Sequence, residues 1–240
     1  MTRRQEESTE RRGRVTERVP DGKPLIAGNP LRTPRAAAFA GILFALLLAT
    51  AIVLLRLAIP AEPTLDTKWL DDGALMVKVA AGIVPFAGIA FLWFMGVIRD
   101  RLGQLEDRFF STIFLGSGLL FLAMLFVWAG TASGLIASHT SHPEKVIETG
   151  IYAYGYEVMY AVSSVYVIRM AGVFMASLAT IWIRTGTMPR PLAILTYGLS
   201  LLLLVGVGAS LWVTLIFPGW VLAVSTYFLI ANTWGKSGSE

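Results

Sequence analysis

The chain has 240 residues, of which 55% are hydrophobic and 15% charged, with a formal net charge of +4. Soluble domains carry about 25% charged residues, so these charges are too few to cover a water-exposed surface, and they are bunched between long uncharged runs. Cysteine is absent, which excludes disulfides, thiolate catalysis and cysteine-based zinc or iron–sulfur sites.

Apolar runs of about 18 residues or more are read as transmembrane helices, because ~20 residues rising ~1.5 Å each cross a ~30 Å hydrocarbon core. Barrel strands would need alternating segments of ~10 residues, and none is visible. The expected fold class is all-α integral membrane: a six-transmembrane-helix bundle with both termini cytoplasmic. Basic residues that flank spans explain the positive balance, so no nucleic-acid partner is expected.

Residues 1–35 mix arginine with glutamate, carry Pro20, Pro24, Pro30 and Pro34, and show almost no apolar period. Such a segment buries too little surface to offset its ordering entropy, and a disordered cytoplasmic tail is expected. Residues 36–234 are expected to form one membrane domain and 235–240 a short cytoplasmic tail. The first span is expected at 36–59, before Pro60, and the second at 73–98, with Pro85 inside it. The third is expected at 109–137 and the fourth at 157–183. The stretch 191–233 would be roughly 65 Å long as one helix, twice what a bilayer needs. It is expected to divide into two spans at Phe217–Trp220 (FPGW), where proline and glycine mark a turn; the alternatives are a helix kinked at Pro218 or one span plus a re-entrant segment.

Charge sets the threading. Nine Lys and Arg precede the first span, Arg99, Arg101 and Arg108 follow the second, Arg184 and Arg190 the fourth, and Lys236 the last. The opposite loops hold only Lys68 and Lys145. This is the positive-inside pattern, and it requires an even number of spans. Trp69, Tyr152, Tyr154, Tyr156 and Trp220 are expected at the outer interface, with Phe109, Phe110, Trp182 and Trp234 at the inner one. The loop RDRLGQLEDRFF, with IFLGSGLLFLAMLF after it, resembles stretches of bacterial multispan membrane proteins. That resemblance implies no activity, and the expected setting is a bacterial cell membrane.

Arg169 is the cation that needs explaining. It lies 12 residues after Glu157 and 15 before Arg184, about 18 and 22 Å from the two ends of its span. A guanidinium at that depth costs at least ~2.5 kcal/mol, and its stem reaches only part of the way to water. It is therefore expected to face protein or a wet cavity. Tyr166 shares its face one turn earlier, and Gly172 with Ala176 forms a small-xxx-small pair that admits another helix. GTASG (130–134) and GVGAS (206–210) read as similar close-approach surfaces. Lys78 enters the second span near Gly82 and Pro85, whose ring frees the carbonyl of Ala81. Arg169, Tyr166 and Lys78 are the candidate ligand-binding residues, forming a cationic outer-leaflet pocket for a lipid head group or small anion. The bland reading of Arg169 is that it bonds carbonyls and locks helix packing. Arg56, near the end of the first span, is expected to snorkel.

No Asp or Glu lies inside a span, the nearest being Glu157 at an edge, which disfavours proton relays and cation-selective rings. The longest loop, 138–157, holds His139, His142 and Glu144, the candidate metal ligands, although they complete no motif and Pro143 argues for irregular backbone. Spans without histidine exclude paired haem ligands, and neither a catalytic residue nor a cofactor is expected. The function expected is a non-catalytic binding or assembly subunit, with membrane lipids and a homo-oligomer or membrane-complex partner as its expected partners. The alternatives are a small transporter or channel for an anionic or neutral solute, and a membrane metalloenzyme using the loop histidines.

Overall fold

The computed structural model describes residues 33–59, 68–102, 108–206 and 211–234. Their regular structure is entirely helical. It comprises α1 (Thr33–Ala58), α2 (Trp69–Asp72), α3 (Ala74–Leu102), α4 (Arg108–Ser141) and α5 (Pro143–Glu148). Then come α6 (Ile151–Ala161), a π-helical turn (Val162–Val167), α7 (Ile168–Thr185), α8 (Arg190–Val205), a 3-10 turn (Leu211–Leu215) and α9 (Ile216–Trp234). The tails expected at 1–35 and 235–240 lie outside the described residues, except that Thr33–Arg35 open α1.

Five helical stretches are long and apolar enough to cross a membrane: Ala38–Ala58, Ala74–Asp100, Phe109–Ser141, Ile151–Thr185 and Val213–Ile230. Helix α8 is apolar but has 16 residues, about 24 Å of rise. Large apolar side chains also point outward, among them Leu57, Leu75, Phe86, Trp93 and Val205. A bundle that is apolar outside as well as inside is a membrane-embedded one.

The first four expected spans coincide with α1, α3, α4 and the α6–α7 rod, although the rod begins earlier, at Ile151. The fifth boundary is corrected. Helix α8 ends at Val205, and Phe217–Trp220 lies inside α9. Gly206 closes α8 by donating its N–H to the Leu202 carbonyl, 2.9 Å. A glycine at 206 costs a helix about 1 kcal/mol, whereas Pro218 falls in the first turn of α9, where its missing N–H removes no bond within that helix.

This shift corrects the aromatic belts too. Trp182 and Trp220 were expected at opposite interfaces, yet their ring centroids are 6.0 Å apart and both are buried. Trp69, Tyr152 and Tyr156 are core residues as well, and of that outer group Tyr154 is the exposed one.

Helix α3 lies along one side of α1 and α9 along the other; α4 packs on α3 and α7, and α8 packs on α7. Five helices each send one phenylalanine to the centre: Phe44, Phe91, Phe121, Phe174 and Phe217. The ring of Phe91 lies 4.6 Å from Phe44, 5.2 Å from Phe174, 5.4 Å from Phe121 and 5.9 Å from Phe217. Tilted and edge-on rings at these spacings add attraction beyond their burial.

Candidate functional site

Against that aromatic cluster lies a partly open cavity of about 130 Å³. Its walls are mainly apolar, with Leu48 from α1, Val84 from α3, Leu125 from α4, Leu203 from α8 and Phe217 from α9. Polar lining residues are Arg56, Tyr156, Tyr160, Ser163 and Thr214. Arg56 is its one charged lining residue among those described, and no carboxylate lines it. On the α6–α7 rod the lining runs from Tyr156 to Ala171, about 22 Å along the axis.

Phe217 sits beside Phe44, with centroids 5.9 Å apart. Val213 and Thr214, in the turn before α9, line the cavity.

The π-helical turn borders the cavity as well, through Ser163 and Val167. A π turn disturbs the regular pairing of carbonyls with N–H groups, and inside a membrane those carbonyls need other donors. Ser163 Oγ donates to the Met159 carbonyl at 2.8 Å and approaches the Tyr160 carbonyl at 3.2 Å. The serine thereby satisfies local backbone while placing polarity on the cavity wall. Tyr156, Tyr160, Ser163 and Val167 follow a 4-3-4 spacing, the sequence signal that marks this wall. Arg56 was expected to snorkel; the structure makes it half-buried and part of the lining.

Arg169, Tyr166 and Lys78 do not line this cavity. Arg169 is half-buried and Tyr166 53% exposed on the outward strip of the α6–α7 rod, while Lys78 is on an exposed face of α3. Close approach at Gly172 is present, because Ser200 of α8 donates its hydroxyl to the Gly172 carbonyl, 2.8 Å.

The loop expected at 138–157 is largely helical. Helix α4 runs through His139 to Ser141, and Pro143 stands in the first turn of α5, a position that proline favours. His139 faces inward and its Nε2 lies 3.2 Å from Asp71 Oδ1, whereas His142 and Glu144 are exposed. Among the described residues, no group of three His, Cys, Asp or Glu side chains is placed to hold a metal ion. Beside this pair, Trp69 Nε1 donates to the Tyr152 hydroxyl at 3.0 Å, tying α2 to α6. At the other end of the bundle, the Arg184 guanidinium lies 4.5 Å from the centroid of the Phe110 ring, a cation–π contact between α7 and α4.

Compared with protein-family models, curated proteins and solved structures, the chain matches none.

Proposed function

We propose that the protein is a six-span component of a bacterial cell membrane, with both termini cytoplasmic, that holds a molecule with a long apolar part between its helices. It would act as a binding or assembly subunit without chemistry of its own. The cavity is the observation that carries this reading. It is long and mostly apolar, with its polar residues drawn from α1, α6, the π-helical turn and the turn before α9. An amphiphile with its chain among Leu48, Leu125 and Leu203, and a polar or anionic head near Arg56, complements that lining. We place the ligand here rather than around Arg169, Tyr166 and Lys78.

Six spans are supported by α8, whose 24 Å rise a bilayer accommodates by slight thinning or by snorkelling flanks. The orientation is supported by Arg99, Arg101, Arg108, Arg184 and Arg190 at one end against Lys68 and Lys145 at the other. The five packed phenylalanines speak against a continuous wet path and so against the transporter or channel. The separation of His139 from His142 and Glu144 speaks against the metalloenzyme.

Native mass spectrometry from mild detergent tests this reading. The wild-type chain is expected to retain one lipid-like mass, and Ala51→Phe, which fills the cavity wall, to release it while the helical content persists. A wild-type chain that retains nothing, or that carries solute flux in proteoliposomes, overturns the proposal.

A further inference from the structure

The α6–α7 rod turns most of its surface into the bundle but leaves a strip only partly covered. Tyr166, Arg169, Val173 and Ala176 follow a 3-4-3 spacing along it, and it ends at Thr180, whose hydroxyl lies 2.6 Å from that of Tyr197 on α8. Tyr166 is exposed and the other three are half-buried, while Ile168, Gly172, Phe174 and Met175 around them are buried. Such spacing is the seam into which one more helix fits, and the small Ala176 permits close approach.

Arg169 sits in that seam about 18 Å from Glu157 and 22 Å from Arg184 along the axis. Among the described residues nothing bonds to it or pairs with it. Carboxylates occur in the candidate spans only toward their ends, at Asp100 and Glu157. A guanidinium left there against acyl chains costs at least ~2.5 kcal/mol, so its counter-charge has to come from another molecule. A lipid phosphate lies about 15 Å from the midplane, half the hydrocarbon thickness, and would have to be drawn inward. A second copy of this chain would set arginine against arginine and supply no carboxylate at that level. A transmembrane helix of a different protein can carry one at the required depth.

We infer that this strip docks a transmembrane helix of another membrane protein bearing Asp or Glu at the level of Arg169. The carboxylate pairs with the guanidinium, Tyr166 offers a hydroxyl one turn away, and Val173 and Ala176 pack against the helix below. This surface is separate from the cavity, and neither inference needs the other.

The test uses the full chain, labelled at an introduced cysteine and reconstituted in phosphatidylcholine vesicles. Energy transfer is measured to Leu/Ala transmembrane peptides of about 20 residues with Glu or Leu at the centre. The Glu peptide is expected to associate roughly three- to thirty-fold more tightly than the Leu peptide. That preference should vanish when Glu is moved two turns toward either end, and in Arg169→Leu. Arg169→Glu should invert it in favour of a central-Lys peptide, which keeps the test decisive if Arg169→Leu fails to fold. Equal binding of the Glu and Leu peptides to the wild-type chain, or a Glu preference that survives Arg169→Leu, overturns the inference. So does Arg169-dependent retention of phosphatidylglycerol without any Glu preference, which would assign the strip to a lipid head group.

Discussion

Ser200 Oγ donates a hydrogen bond of 2.8 Å to the carbonyl oxygen of Gly172, across the seam where α8 lies on α7. Both residues are buried, and a Cβ on Gly172 would stand 3.0 Å from Leu204 Cγ and 3.2 Å from the Ser200 carbonyl oxygen. Glycine is required here for proximity, not for its backbone freedom. Gly172→Val is expected to push α8 off its seat and lower stability by about 1–3 kcal/mol. Ser200→Ala removes one interhelical bond and should cost about 0.6 kcal/mol. Thermal unfolding of both variants in detergent checks the order, and equal losses would contradict it.

The lack of cysteine makes topology directly measurable. A cysteine replacing Lys145 is expected to react with an impermeant maleimide added to intact cells, and cysteines replacing Arg190 or Lys236 only after lysis. The pair Arg190 and Lys236 is the sensitive one. If α8 did not span, these two positions would fall on opposite sides and label differently.

Legibility in the sequence followed the range of the forces involved. The first four spans could be read because a long apolar run with charges at its ends is decided by solvent, whatever its neighbours do. The end of α8 could not. FPGW carries a strong local turn signal, but a proline in a first turn is compatible with helix, and α8 ends at Gly206 instead. Tryptophan is favoured both at interfaces and in cores, so the contact of Trp182 with Trp220 was not readable from either residue alone. The cavity brings Arg56 beside residues of α6 and α9 that lie far along the chain, and only packing joins them. The 4-3-4 spacing of Tyr156, Tyr160, Ser163 and Val167 was visible, but it reads equally well as an interfacial belt. The π turn has no signal in composition.

His139 and Asp71 give a prediction about metals and one about stability. The histidine side chain is 7% exposed and the aspartate 74% exposed, with 3.2 Å between Nε2 and Oδ1. Among the described residues, Nδ1 of His139 is buried without a hydrogen-bond partner. Asp71→Ala would leave both ring nitrogens unpaired and is expected to cost about 1–3 kcal/mol. Equimolar zinc is expected to leave the unfolding temperature unchanged, because His142 and Glu144 alone remain accessible. A zinc-dependent rise that disappears in a His139→Ala/His142→Ala variant would restore the metal site.

Gly41 and Ser225 make the sharpest test of how α1 and α9 pack. Ser225 is fully buried, and among the described residues its Oγ has no hydrogen-bond partner. A buried hydroxyl in that state costs about 1–3 kcal/mol, so Ser225→Ala is expected to leave stability unchanged or raise it. Gly41→Ala should be destabilising, because the new methyl would overlap Ser225 Oγ and come within 2.8 Å of the Phe94 ring. In the double variant the first collision is gone and only Phe94 has to shift. Part of the Gly41→Ala loss should therefore return, giving the non-additivity that residues in direct contact show. Unfolding midpoints of the two single variants and the double variant measure this coupling. A purely additive result would mean that α1 and α9 do not meet at this pair.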